Sequence, residues 1–231
     1  MFRNYLKAGY PALWVNTLEP DRAERDLAAI AKEVTANDAY RWDIQSGMIA
    51  LADGKKMPAP TPVSAVNMAA AGKGVVTFLW NFGRFMGSVE VVQAVQNAVV
   101  ALKDNGSTLV VLGPSADKLP EELGRIFTVM EFELPDNEAL AACAQKTFTD
   151  YKVENTIPDD PDYPPVAEAA RGLTFSEAED AFALSLVEAR NLDPQIIARE
   201  KGKALLRQSG LQMSTFPERF ASIGGLTNLK D

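Results

Sequence analysis

Two runs of bulky apolar residues, Val75-Val76-Thr77-Phe78-Leu79-Trp80 and Thr108-Leu109-Val110-Val111-Leu112, are separated by a single helical segment. That arrangement constrains the fold more than any other feature of the chain. A strand apolar on both faces must be covered on both, as a central strand of a parallel sheet is. The segment between the runs, Val89 to Lys103, starts behind Ser88 and carries a Val/Ala/Leu face. It stops at Asn105-Gly106, a strong C-terminal signal for a helix.

The same alternation extends in both directions. Ala12 to Thr17 reads as a short buried strand, and Asp21 to Val34 as a helix with Leu27, Ile30, Ala31 and Val34 on one stripe. Tyr40 to Ile44 alternates like a half-buried strand. A loop rich in Gly, Lys and Pro follows through Gly54 to Pro62, and Ser64 is placed as the N-cap of a short helix to Ala71. Pro120 opens another short helix, Thr128 to Leu134 is a fifth strand, and Asp136 caps a helix from Asn137 to about Tyr151. Five strands separated by helices predict an α/β fold, a five-stranded parallel sheet flanked by helices.

Beyond this region the composition shifts. Ile157 to Pro165 holds four prolines and three aspartates, and proline restricts φ and removes an amide donor, so an extended linker is expected. No strand pattern returns. Thr174-Phe175-Ser176-Glu177 is a capping box ahead of an apolar face with Ala178, Ala181, Phe182, Leu186 and Ala189. Asp193-Pro194 caps a further helix through Ile196, Ile197, Ala204 and Leu205. The expected organisation is an α/β domain over 1–156, a linker over 157–165, a helical lobe over 166–213 and a tail over 214–231.

Composition excludes several kinds of chemistry. Histidine is absent, so neither a Ser-His-Asp triad nor a His-ligated zinc site can be built from this chain. Cys143 stands alone and cannot form an internal disulfide. A net charge of -8 repels phosphate backbones and argues against nucleic acid as a partner. No apolar run approaches the roughly 18 residues of a membrane span, and Met1 to Lys7 lacks a secretory h-region, so a cytoplasmic location is expected.

An α/β sheet of this kind binds ligands at the carboxyl ends of its strands. A phosphate cradle belongs directly after the first strand, where glycines present backbone amides and a lysine meets the phosphates. Thr17-Leu18-Glu19-Pro20-Asp21 has neither glycine nor lysine; Pro20 removes a donor, and Glu19 and Asp21 repel a triphosphate. Gly72-Lys73-Gly74 lacks the rest of the motif and precedes a strand, so it reads as a turn. After the third strand stands Asn81, a strand-end cap in preference to a magnesium ligand. Gly113-Pro114-Ser115 is a turn. Arg125 is a solvated helix-end arginine, with an arginine finger toward a neighbouring subunit as the alternative. Glu177, Glu179 and Asp180 favour the helix dipole, and Met68, Met86 and Met130 fill core gaps. The candidates for carboxylate chemistry in the cleft are Glu19, Asp21 and Asp43; catalytic residues and metal ligands are otherwise expected to be none.

Several stretches resemble a poorly characterised family of AAA ATPases of cyanobacteria, chloroplast genomes, other bacteria and phages. They are Tyr10 to Ala23, Leu119-Pro120-Glu121-Glu122-Leu123, Glu133-Leu134-Pro135-Asp136, Ala170 to Ala183 and Phe220 to Lys230. The resemblance implies an N-terminal AAA-like region stripped of nucleotide motifs, ahead of a catalytic module beyond Asp231. It implies ATP and Mg for the parent protein, none for this chain, and an adenine-proximal role for Ile223 and Gly224 only in a longer chain. Where that family often has an acidic residue and a histidine, this sequence has Asn81 and Gly83. The expected role is assembly, regulation or client binding within a homo-oligomer or AAA ring. The alternatives are a stand-alone scaffold or inhibitor that joins such a ring, and a carboxylate enzyme.

Overall fold

The computed structural model describes residues 1–35, 37–117, 119–154 and 161–209. The chain divides into two compact units, the first comprising Met1–Glu133 and the second beginning at Leu134. The first unit holds helix α1 (Phe2–Lys7), strand β1 (Ala12–Asn16), α2 (Pro20–Thr35), β2 (Ala39–Asp43), β3 (Gly47–Ala50), β4 (Lys56–Met57), α3 (Pro62–Ala71), β5 (Val76–Trp80), α4 (Val89–Asn105), β6 (Thr108–Gly113) and β7 (Thr128–Glu131).

The sheet has seven strands in the order β4-β3-β2-β5-β6-β1-β7. Strands β2, β5, β6, β1 and β7 are mutually parallel, and these are the five expected. The two additional strands lie where a loop was expected, and they make the sheet mixed: β3 runs antiparallel to β2, and β4 antiparallel to β3. A tight turn produces them. Asp43 Oδ1 accepts hydrogen bonds from Gln45 N and Ser46 N at 2.9 and 2.7 Å, and Gly47 at φ +72° reverses the chain. Four and two residues are too few for a periodic signal, and the glycine and proline content around them masked it.

Alternation along the strands builds two cores. Leu13, Val15, Phe78, Val110 and Leu112 meet Phe2 of α1 and Ala23, Leu27 and Ala31 of α2 on one face. Trp14, Leu79, Leu109 and Val111 meet Val66 and Ala69 of α3 and Val91 and Val95 of α4 on the other. Helix α4 ends as its sequence dictates, with Gly106 left-handed at φ 69° and its N–H on the carbonyls of Leu102 and Lys103. The N-cap of α3 is Thr61, not Ser64. Pro62 suits the first helical turn, and Ser64 closes the capping box from the third position.

The second unit contains α5 (Asn137–Glu154), α6 (Tyr163–Ala170), α7 (Phe175–Ala189) and α8 (Pro194–Ser209). Its core joins Leu140 and Phe148 of α5 with Val166, Phe182, Leu186 and Ile197. Helix α5, expected inside the α/β domain, therefore packs with the helical unit. Of the expected linker, residues 157–160 lie outside the described residues, whereas Tyr163, Pro164 and Pro165 open α6. Proline is tolerated there because first-turn amides have no intrahelical acceptor. The capping box of α7 is formed as expected, Thr174 N donating to Glu177 Oε2 and Glu177 N to Thr174 Oγ1. The tail over 214–231, with Ile223 and Gly224, lies outside the described residues. Among the described residues no helix is long and apolar enough to cross a membrane.

Candidate functional site at the carboxyl ends of the strands

Three residues, Thr17 to Glu19, connect β1 to α2. Thr17 N donates to the Gly113 carbonyl at 2.7 Å, and Thr17 Oγ1 accepts from Glu19 N at 2.9 Å. These bonds engage the amides of Thr17 and Glu19 within the turn. Pro20 has no N–H at the first position of α2. Glu19 is paired with Arg22 at 2.8 Å, and Arg22 also donates to the Glu133 carbonyl and stacks on Phe132. The cation nearest this helix N-terminus is thus committed to protein partners. These residues do not fit a triphosphate or its magnesium ion.

Beside this turn lies a pocket of about 130 Å³, lined by Trp14, Asn81, Gly83, Arg84, Gly113, Pro114, Ser115 and Asp117. Its volume lies below the roughly 300–1,000 Å³ of ligand-binding pockets. Asn81 ends β5 in the left-handed region at φ 53°, its N–H on the Leu112 carbonyl at 3.0 Å and its carbonyl accepting from Arg84 N. It leads into a short 3₁₀ turn over Phe82–Arg84 and makes no side-chain cap hydrogen bond. Ser115 Oγ accepts from Asp117 N at 3.1 Å, consistent with a turn after β6. Below the pocket, Trp14 is 1% exposed and packs edge-on against Phe127. A Cβ on Gly83 would lie 2.8 Å from Trp14 Cη2. The indole therefore fills the space that a side chain at position 83 would need.

A charged cluster that the sequence did not announce lies on the opposite face. Glu24 of α2 is 8% exposed, and its Oε2 accepts from Trp80 Nε1 at 2.6 Å. Arg41 approaches Glu24 at 3.8 Å and Asp43 at 3.9 Å, and its guanidinium lies over the Trp80 ring at 5.1 Å. Burial pushes the Glu24 carboxyl up, against the opposing pull of the Trp80 N–H and Arg41. Asp43 is held below the usual aspartate range: burial raises it, but the hydrogen bonds from Ser46 and Gln45 and the Arg41 charge outweigh that. Glu24 shares the buried face of α2 with Leu27 and Ala31, and the sheet register brings Arg41 and Trp80 beneath it.

The remaining candidates are not assembled into a reactive centre. Glu19 is held by Arg22 and Asp43 by its turn, and among the described residues no three acidic or cysteine side chains converge on a metal site. Glu179 and Asp180 are exposed on α7. Arg125 is exposed and lines a pocket of about 280 Å³ with Lys103, Pro11 and Thr128, at the amino ends of β1 and β7. Lys73 sits in a turn whose carbonyls at 73 and 74 accept from Asn37 Nδ2. Cys143 is buried, which raises its thiol pKa.

Residues 1–132 match the family model for the N-terminal domain of SpoVK-like AAA ATPases, and residues 138–209 the model for their second domain. The chain is 25% identical over 233 residues to the uncharacterized AAA domain-containing protein ycf46 of Trieres chinensis, covering 98% of this chain and 46% of that protein. It is 20% identical over 242 residues to the ycf46 protein of Guillardia theta, covering 99% and 46%. It thus spans about half the length of the curated relatives it matches. Among solved structures, C. elegans PCH-2 aligns with a TM-score of 0.52 at 10% identity, over 88% of this chain and 65% of that one. Katanin aligns at 0.51 and 14%, over 90% and 74%, and the Thermotoga maritima RuvB Holliday junction branch migration motor at 0.50 and 15%, over 91% and 68%. At these identities the likeness is one of fold.

Proposed function

The chain belongs to the SpoVK-like AAA ATPase family, and from that premise we propose that it is a region without ATP hydrolysis of its own. It serves assembly, regulation or partner binding for an ATP-hydrolysing module elsewhere in a longer protein. ATP and magnesium belong to that module. The observation that carries this reading is the turn Thr17–Glu19, which is short, free of glycine and lysine, and closed by the Glu19–Arg22 pair. The small pocket beside it and the indole under Gly83 support the same reading.

Without a nucleotide cycle, such a domain acts through its surfaces. An oligomeric ring of the parent protein is the partner this reading favours, with a protein client engaged by the same surfaces. Katanin, whose fold this chain shares, self-assembles; that is a property of katanin and a guide to what to test in this chain. Isothermal titration of the 231-residue chain with ATP and Mg²⁺ tests the reading. No heat of binding is expected, and a micromolar Kd would overturn it.

A further inference from the structure

Strands β3 and β4 build a second pocket, near the amino-terminal starts of β2 and β5. Its walls include Tyr40 of β2, Met48 of β3, Met57 of β4, Met68 of α3 and Thr77 of β5, and its volume is about 200 Å³. We propose that this pocket binds a single-ring aromatic molecule carrying one hydroxyl group.

Size, lining and one unpaired group lead to that ligand. An apolar protein cavity of roughly 150 Å³ admits benzene, so this pocket takes a ring and one substituent. Three methionines offer adaptable chains and thioether sulfurs, which favour contact with aromatic rings. No lysine, arginine, aspartate or glutamate lines the pocket, which disfavours phosphates and other ions. Thr77 is 1% exposed, yet its Oγ1 has no hydrogen-bond partner among the described residues. A buried hydroxyl of this kind is costly until something pairs with it. Tyr40 is its register neighbour on β2, so the ring and the hydroxyl lie side by side in the wall. The site is separate from the carboxyl-end pocket and does not depend on the reading of that pocket.

NMR of the full chain labelled at methionine and threonine methyls, titrated with phenol and with toluene, tests the proposal. Saturable shifts are expected at Met48, Met57, Met68 and Thr77, with Met86 and Met130 as unshifted references. One neutral hydrogen bond makes the phenol-to-toluene affinity ratio roughly three- to tenfold higher in the parent than in Thr77→Val. Thr77→Val keeps the shape, removes the hydroxyl and weakens phenol binding by that factor while toluene binds as before. Absence of saturable shifts at those methyls, or a phenol-to-toluene affinity ratio unchanged in Thr77→Val, would each overturn the proposal.

Discussion

Substituting Gly83 by alanine tests the packing beneath the carboxyl-end pocket. The new Cβ would sit 2.8 Å from Trp14 Cη2 and 3.1 Å from Cζ2, closer than carbon atoms pack. The indole cannot retreat easily, since it is buried and its ring meets Phe127 at 5.9 Å between centroids. Overpacking of this kind costs about 1–3 kcal/mol. Replacing glycine by alanine returns about 0.4–1 kcal/mol by restricting the unfolded chain. The net expectation is a loss of about 1–2 kcal/mol. With a urea slope of about 2 kcal/mol/M, the midpoint falls by roughly 0.5–1 M. Trp14, Trp42 and Trp80 all belong to the first unit, so tryptophan fluorescence follows that unit's unfolding selectively. Trp14→Phe removes the two clashing atoms, and in that background Gly83→Ala is expected to cost about 1 kcal/mol less. An alanine variant as stable as the parent, or an unchanged penalty in the Trp14→Phe background, refutes the reasoning.

Three further outcomes are expected. Burial raises the Glu24 carboxyl in the folded chain, so the native state holds that proton more tightly than the unfolded one. Its stability contribution is complete below the unfolded pKa and is lost as pH rises through the folded value, so Glu24→Gln gains on the parent in urea melts as pH rises above the ordinary glutamate range. Trp80→Phe removes the donor to that carboxylate and narrows the ring under Arg41, and a loss of about 1–3 kcal/mol is expected by the same melts. Thr174→Ala removes the capping box of α7 at a cost of about 1 kcal/mol, seen as faster amide exchange in its first turn with the tryptophan transition unmoved.

The parallel strands were legible because each is either apolar throughout or cleanly alternating, and the helices between them end at strong signals such as Asn105-Gly106. Strands β3 and β4 were not, because their pairing depends on the turn that Asp43 and Gly47 make, which leaves no hydrophobic period. The proline-rich stretch misled in part. Pro164 and Pro165 restrict φ equally in a linker and in the first turn of a helix, and the packing of Val166 and Ala167 decides between them. At the carboxyl ends of the strands, the missing glycines and lysine could be read directly from Thr17 to Asp21. The Trp14–Gly83 contact and the cluster of Glu24, Trp80 and Arg41 could not, since both depend on which residues the sheet register places together.

Thermal unfolding of this chain, followed by tryptophan fluorescence with and without about 1 mM ATP and Mg²⁺, tests the central claim most directly. A ligand at roughly 100 times its Kd stabilises the native state by about 2.7 kcal/mol, which raises Tm by several degrees. The account predicts coincident transitions, because a turn sealed by Glu19 and Arg22 gives the triphosphate nothing to hold. A Tm raised by several degrees with nucleotide, and not with magnesium alone, would contradict it.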